Sequence, residues 1–318
     1  MKNSIKKTMA IITLAAVVCL NACSGDETKE TTTAVPDNTV TTVQNTESLA
    51  RVVEVPYEDE YKAVFTFDEK GLLVSSENCP WGDDNTYYKY DEQNRITEIQ
   101  HALSDGTIDE GCERKVYSYD ENGKLKNLTI YMGPKEKLVR FRAFEFVYDD
   151  KGNMTKETLY AGGNNKVMDT TDYEYDENGR LIKEICDSYG TKSEITYKYN
   201  ENGDISETVE TYNSTVYENS YVYSYDENGN PAKRSATYVT KELDDSGNVI
   251  TETSTSEETL YAYKNGILLE ESAEGNVEYE YFDNNRIVAV YCGGKEDPGE
   301  INIEAVPEVM GNFKDLPY

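Results

Sequence analysis

The sequence predicts an all-β protein made of tandem β-hairpin repeats that form an extended or curled antiparallel sheet, a solenoid-like architecture. A four-residue turn motif recurs along the chain, and aromatic residues alternate with period two before most of these turns. Tyrosine supplies 27 of the 318 residues. Because a tyrosine combines a large apolar face with a hydroxyl that can stay in water, it suits a thin sheet that lacks a thick core.

The recurring turn begins with aspartate and ends with glycine or asparagine. The aspartate can accept hydrogen bonds from backbone amides ahead of it, and the last residue tolerates positive φ. This chemistry predicts type I turns with a bulge, and a two-residue Asn-Gly hairpin between Lys264 and Ile267. Positive φ is expected at Gly123, Gly152, Gly179, Gly203 and Gly229. The ten turns are Asp68–Gly71, Asp91–Asn94, Asp120–Gly123, Asp149–Gly152, Asp176–Gly179, Asn200–Gly203, Asp226–Gly229, Asp244–Gly247, Lys264–Gly266 and Phe282–Asn285.

The residues around each turn alternate as strand residues do. The second aromatic before a turn is expected to face the apolar residue two places after it, and Ile287 has that place in the last copy. The other face is expected to carry pairs such as Asp91 with Arg95. Pro231 interrupts the pattern, and Lys241 and Leu243 replace an aromatic pair, so these two copies are expected to be weaker. The aromatic pairs are Phe65/Phe67, Tyr88/Tyr90, Tyr117/Tyr119, Phe146/Tyr148, Tyr173/Tyr175, Tyr197/Tyr199, Tyr223/Tyr225, Tyr261/Tyr263 and Tyr279/Tyr281.

This Tyr-x-Tyr-Asp-x-x-Gly-[Arg/Lys]-[Leu/Ile] unit resembles the YD (tyrosine-aspartate) repeat family, known from rearrangement-hotspot toxins, insecticidal toxin complexes and teneurins. The resemblance covers about residues 60–291. It implies a spiralling β-sheet shell. The chain has only ten copies and lacks the closing core signature and toxin domain of those large relatives. A large closed cocoon with cargo is therefore not expected.

The N-terminus has the pattern of an export signal. Three lysines precede an apolar stretch from Met9 to Leu20, which is too short for a comfortable membrane span. The sequence Leu20-Asn21-Ala22-Cys23 resembles the lipobox of bacterial lipoproteins, which implies cleavage after Ala22 and acylation, as with palmitate, of Cys23. An ordinary signal peptide with a chance cysteine is the alternative. The predicted segments are a signal peptide (1–22), a disordered tether (23–50), the repeat domain (51–292) and a C-terminal cap or tail (293–318).

The charge of the chain limits its partners. Residues 1–22 hold three lysines and no acidic residue, so residues 23–318 carry 28 basic and 61 acidic side chains. A field of this sign repels nucleic-acid phosphates and anionic lipid headgroups, so no nucleic-acid partner is expected. The expected location is the cell envelope, lipid-anchored on the outside of a bacterial membrane (cell membrane or outer membrane), with the membrane as a partner through the lipid on Cys23.

No catalytic, metal-binding or cofactor-binding residues are predicted. The only histidine, His101, is expected in a polar connection. Trp81, the only tryptophan, either plugs the first hairpin or contacts a ligand. We expect all Asp-x-x-Gly turns at one edge of the sheet and the long connections at the other, where a ligand would bind; these are residues 100–112, 131–140 and 160–169.

The cysteines give a prediction about closure of the sheet. Cys186 and Cys292 lie in equivalent places five copies apart, on the order of 45–50 Å along an uncurled sheet. We expect both thiols to be unpaired and to face the apolar side, whereas Cys79 and Cys112 are close enough along the chain for either state.

The predicted function is that of a non-enzymatic, surface-anchored lipoprotein that presents its repeats to an unknown protein or glycan. A purely structural component of the cell envelope is the first alternative, and an extracellular, carboxylate-dependent hydrolase is the second.

Overall fold

The computed structural model describes residues 41–44, 51–58, 61–80, 84–264, 266–272, 276–294 and 300–306. These residues contain 21 β-strands and one turn of 3-10 helix at Lys135–Lys137. The strands are β1 (Thr41–Gln44), β2 (Arg51–Glu58), β3 (Tyr61–Phe67), β4 (Leu73–Glu77), β5 (Asp84–Tyr90), β6 (Ile96–Leu103), β7 (Glu113–Tyr119), β8 (Leu125–Met132), β9 (Val139–Tyr148), β10 (Met154–Ala161), β11 (Val167–Tyr175), β12 (Leu181–Ser188), β13 (Thr191–Tyr199), β14 (Ile205–Tyr212), β15 (Thr215–Tyr225), β16 (Pro231–Leu243), β17 (Val249–Lys264), β18 (Ile267–Ser272), β19 (Asn276–Phe282), β20 (Ile287–Cys292) and β21 (Glu300–Ala305).

Each strand pairs antiparallel with the next one in the chain, so the sheet is an up-and-down meander. This confirms the predicted all-β class and the tandem hairpins. Neighbouring strands in sequence can pair through short turns, and a meander is the sheet topology that needs only such connections.

The turn at Asp120–Gly123 shows the expected chemistry. The carboxylate Oδ1 of Asp120 accepts the backbone N–H groups of Asn122 and Lys124 at 2.9 and 2.8 Å. Gly123 has φ +80°, and Gly152, Gly179, Gly203 and Gly229 also have positive φ, as predicted. Next to the turn Tyr119 faces Leu125 across a bulge, so the predicted register is confirmed there.

The eighth turn, Asp244–Gly247, lies at the edge opposite to the other Asp-x-x-Gly turns, so the expectation of one shared edge is wrong for this copy. The strand β16 runs without a break from Pro231 to Leu243 and enters the turn directly. At that end the N–H of Leu243 donates to the carbonyl of Ser214, in the β14–β15 connection, at 2.8 Å. This turn therefore joins two repeats. Pro231 pairs with Tyr225 and is buried, in the place that an aliphatic residue has in other copies.

The tenth turn also departs from the repeat. Asp283, Asn284 and Asn285 all have positive φ, and the N–H of Arg286 donates to the carbonyl of Phe282 at 3.0 Å. No bulge forms, so Ile287 faces Phe282 and Val288 faces Tyr281. The expectation that Ile287 would face the second tyrosine is therefore wrong. The consequence is that Ile287 lies on the opposite face from the tyrosines.

We call the face that carries the aromatic pairs the inner face. In the first repeats it is apolar, and Phe65, Phe67 and Leu73 are fully buried there. The side chains that cover it come from the opposite face of the last three strands, among them Ile287 and Ile303, and all of these belong to one core. The sheet is thus rolled up, with its C-terminal strands inside its first repeats. This confirms the curled form of the predicted sheet.

Polar contacts join the two ends of the rolled sheet, and we call this set the seam. The guanidinium of Arg286 lies 4.3 Å from the ring centre of Phe67 and also donates to the carbonyl of Gly71. Arg51 forms an ion pair with Asp283. Within the described residues no backbone ladder connects β21 with the first strands, because each pairing runs between consecutive strands. Side chains alone close the sheet there.

Candidate binding surfaces

Three repeats are bonded to the one before them through the hydroxyl of their second tyrosine. The hydroxyl of Tyr119 donates to the carbonyl of Ile96 at 2.6 Å, and Tyr199 donates to Leu181 in the same way at 2.6 Å. A third such bond joins Tyr90 to the carbonyl of Leu73, at 2.7 Å. Sequence reasoning missed these bonds, although the preference for tyrosine over phenylalanine at this position was a signal for them.

The residue after the turn glycine or asparagine adds a further contact between neighbouring repeats. Arg95 bonds its own turn residue Asp91 at 2.7 Å, which confirms the predicted pair, and its guanidinium lies 4.4 Å from the ring centre of Tyr119. Lys124 instead lies 5.9 Å from the ring centre of Tyr148. These cation–π contacts join neighbouring repeats and contribute to the stability of the sheet.

The inner face changes character beyond β9, where tyrosines alternate with carboxylates. The hydroxyl of Tyr197 donates to Glu184 at 2.7 Å, and that of Tyr238 donates to Glu257 at 2.6 Å. Desolvation, followed by the neighbouring carboxylate, raises the pKa of both tyrosines, so they remain protonated donors. These residues are half-buried. The arrangement offers hydrogen-bond donors, acceptors and aromatic rings on one surface, which suits a polyhydroxyl ligand.

Arg234 lies on this tyrosine–carboxylate face, in contact with residues of both kinds. Its guanidinium is 3.3 Å from a carboxylate oxygen of Glu257 and 5.8 Å from the ring centre of Tyr221. Burial is the main cause that raises the pKa of Glu271 nearby, and Arg234 opposes it. The guanidinium of Arg234 is therefore surrounded by acidic and phenolic side chains.

The long connections gather at the edge opposite to most turns, as predicted. The connection between β6 and β7 touches the one between β8 and β9, because the N–H of Gly133 donates to the carbonyl of Cys112 at 3.0 Å. Next along the edge, Arg140 bonds Asn165 in the β10–β11 connection. A shallow groove follows, lined by Lys166, Val167, Met168, Thr170, Asp187, Tyr189 and Gly190.

The single residues singled out in the sequence have different outcomes. Cys23 and Trp81 lie outside the described residues. His101 lies in strand β6, half-buried, with Nδ1 3.2 Å from Oγ1 of Thr86, so its placement in a connection was wrong. Across the part of the chain that the structure describes, no group of three or more His, Cys, Asp or Glu side chains could hold a metal ion.

The cysteines agree with the prediction in part. Cys186 is a free thiol, so the 186–292 disulfide is absent. Cys292 is buried. Cys186 is half-buried and shares the strand face of Glu184, because the two residues are two places apart in β12. It therefore lies on the tyrosine–carboxylate face and not on an apolar side, since the apolar lining ends in the first repeats.

The chain was compared with known families, curated proteins and solved structures. The family model described as Teneurin YD-shell matches residues 28–188. The comparison with curated proteins found no significant match. A porin-like protein from Bacteroides uniformis ATCC 8492 is 11% identical with a TM-score of 0.39, covering 70% of this chain and 95% of that one. A porin-like protein from Bacteroides vulgatus ATCC 8482 is 13% identical with a TM-score of 0.31, covering 72% and 100%.

A further solved structure, TcdB2-TccC3 without its hypervariable C-terminal region, is 11% identical with a TM-score of 0.33, covering 80% of this chain and 18% of that one. Likenesses with TM-scores this low carry no argument about this chain. The family match stands apart, because it covers half of this chain, including the hairpins from Asp68–Gly71 to Asp176–Gly179. The chain belongs to the teneurin YD-shell family.

Proposed function

We propose that this protein is a non-enzymatic surface lipoprotein whose rolled sheet is a scaffold for binding a glycan or a protein. The observation that carries the proposal is the tyrosine–carboxylate inner face of the middle repeats. There the last strands do not fill the sheet, and pairs such as Tyr197 with Glu184 stay half-buried. Phenolic rings can stack on sugar faces while their hydroxyls and the carboxylates bond hydroxyl groups. Trp81 stays a further candidate for ligand contact.

The proposed location is the outside of a bacterial membrane, through lipid on Cys23. The support is the signal-like N-terminus and its cysteine. No helix among the described residues is long and apolar enough to cross a bilayer. The excess of acidic residues supports the further proposal that nucleic acid is not a partner.

A purely structural role in the cell envelope is the second candidate. It is favoured by the bonds between repeats, which would give the sheet stiffness without any ligand. The two candidates differ in one respect, because only the first requires a ligand on the tyrosine–carboxylate face.

A glycan array probed with residues 24–318, the mature chain without its lipid-accepting Cys23, tests the binding proposal. We expect a hit whose affinity falls at least about tenfold when Tyr197 and Tyr238 are both changed to phenylalanine, because each loses a hydroxyl that touches the ligand. The matched control changes Tyr189 and Tyr212, which are exposed at turns, to phenylalanine. If no glycan or protein binds, or if both pairs of changes act equally, the structural role replaces the proposal.

The anchoring proposal is tested by acyl labelling in the bacterium. The change Cys23→Ala is expected to remove the labelled lipid and to prevent normal processing, because the thiol is the acceptor. The control Cys19→Ala lies in the segment that cleavage would remove, and we expect it to label like the parent. Labelling that survives in the Cys23 variant would show that the lipobox interpretation is wrong.

A further inference from the structure

We propose that the edge formed by the β8–β9 and β10–β11 connections docks on the anionic surface of a membrane. This inference names a partner for the connection edge. The inference rests on the proposed function in one respect, because the lipid anchor would bring the connection edge close to the bilayer. It is carried by a local reversal of charge, by basic side chains of which only one approaches an acid among the described residues, and by apolar side chains that are exposed to solvent.

The charge reversal is confined to two connections that touch. Residues 23–318 hold 28 basic and 61 acidic side chains, whereas residues 133–142 and 161–167 hold five basic side chains and one acidic. The two segments are in contact, since Arg140 bonds Asn165 and Arg142 pairs with Ala161 across the β9–β10 ladder. We call the basic side chains of this edge the basic patch; they are Lys135, Lys137, Arg140, Arg142 and Lys166.

The positive charge of the basic patch is not neutralised within the protein. Many other basic side chains have a carboxylate at short range, as in Lys89 with Glu98 at 2.7 Å and Lys198 with Glu207 at 2.6 Å. In the described part of the chain only Lys137 of the patch approaches an acid, Glu110, at 4.0 Å, and both side chains are largely exposed. An ion pair of that length and exposure contributes little. The patch is therefore free to attract an anionic partner.

Apolar side chains accompany the patch and decide which anionic partner fits. Val139, Phe141 and Val167 are 66%, 49% and 46% exposed. The guanidinium of Arg142 lies 4.8 Å from the ring centre of Phe141, so a positive charge and an aromatic ring lie side by side. A soluble polyanion would gain nothing from contact with exposed valine and phenylalanine side chains. In a bilayer, by contrast, the boundary between the headgroups and the acyl chains accommodates aromatic and basic side chains together.

The acidic remainder of the protein does not cancel this attraction. At physiological salt the screening length is about 8 Å, so acids farther than that from the bilayer contribute little repulsion. Asp105, Asp109 and Glu110 border the patch on the β6–β7 connection and are exposed. They restrict docking to orientations in which the β8–β9 and β10–β11 connections meet the membrane first.

The proposed tether permits such contact. Residues 24–40 precede β1, and a flexible chain of that length has a typical end-to-end distance of roughly 23 Å. A domain held at this distance meets the surface at high effective concentration, so a weak patch is sufficient to orient it.

The test uses residues 24–318, the mature chain without Cys23 and therefore without lipid, which contains every described residue. It is sedimented with vesicles of phosphatidylcholine alone or with about a third phosphatidylglycerol, at about 0.15 M and at about 0.5 M NaCl. We expect binding to the anionic vesicles at the lower salt concentration only. The variant Arg140→Glu, Phe141→Ser, Arg142→Glu should bind at least about tenfold more weakly, because two cations and one apolar anchor are lost.

The control Lys126→Glu, Val222→Ser, Lys151→Glu makes the same change in charge and removes one exposed apolar side chain outside the patch, and it should bind like the parent. Circular dichroism verifies that both variants fold. The proposal is overturned if anionic vesicles bind none of the proteins or bind both variants equally. It is also overturned if soluble poly-glutamate binds as tightly as vesicles and Phe141→Ser has no effect, since the occupant would then be a polyanion. Because no lipid is attached, failure here is distinct from failure of labelling at Cys23.

Discussion

Replacing Phe65 by alanine is expected to lower the free energy of unfolding by about 3–5 kcal/mol, the largest effect of any single change that we foresee. The ring is fully buried, and it belongs to the core that the first repeats share with Ile287 and Ile303 of the last strands. Its loss leaves a cavity between two sheet ends that cannot both move inward, because each is fixed by its own ladder. Urea unfolding followed by circular dichroism measures the change.

Phe141→Ala is the matched control for this experiment. It removes the same ring from an exposed place in strand β9, where the side chain is 49% exposed. We expect a change within about 0.5 kcal/mol. Equal effects of the two substitutions would mean that the first repeats are not covered by the C-terminal strands.

Acid is expected to destabilise the protein through its turns. In Asp149, Asp226 and Asp244 the carboxylate accepts the side-chain amide of the asparagine after the glycine at 3.0 Å, and that residue's backbone N–H at 2.8 Å. Both bonds, the side-chain bond first, lower the pKa of these aspartates. Their stabilisation is therefore present above the unfolded pKa of about 3.9 and is lost as the pH falls through the folded value.

Between pH 7 and the pH at which these aspartates begin to be protonated, the stability of the fold is expected to rise as the pH falls. Burial raises the pKa of Glu271, so its charged form destabilises the folded state at neutral pH and this cost disappears as it is protonated. Protonation of other carboxylates also relieves repulsion in a chain with 61 acidic residues. The thermal midpoint is thus expected to rise from pH 7 to about 5 and to fall steeply below about 4.

The sixth turn shows which substitution keeps the turn hydrogen bonds while removing the titrating carboxylate. Asn200 takes the place of the aspartate and accepts the N–H groups of Asn202 and Asp204 at 2.9 and 3.0 Å without titrating. Changing Asp149, Asp226 and Asp244 to asparagine should flatten the loss of stability below pH 4. The comparison variant changes Glu121, Glu177 and Glu227, which occupy second turn positions, to glutamine. If the thermal midpoint falls equally steeply below pH 4 in both variants, the proposed role of the turn carboxylates is contradicted.

The hairpins were predictable because their determinants are local. The aspartate, the glycine with positive φ and the facing of Tyr119 with Leu125 all lie within a few residues of each turn. The eighth turn was mispredicted because its motif is the same as in the repeats. Only the length of β16, which runs 13 residues without a break, reveals that Asp244–Gly247 falls at the other edge.

Long-range features escaped sequence reasoning for a different reason. Three consecutive residues with positive φ after Phe282 remove the bulge and turn Ile287 to the opposite face, and nothing within that turn indicates that the first repeats will meet it. The connection edge was predicted from spacing, but the patch within it depends on two connections that touch only in three dimensions, through Arg140 and Asn165.

The rolled sheet is tested most directly by a double-mutant cycle across the seam. Phe67 and Arg286 are separated by most of the chain, yet the guanidinium lies 4.3 Å from the ring centre. Phe67→Leu and Arg286→Met each keep apolar volume while removing the ring or the charge. We expect a coupling free energy of about 1–2 kcal/mol in urea unfolding, because the contact is partly desolvated. Changes that add to within about 0.3 kcal/mol would show that the two residues do not meet and that the sheet is open.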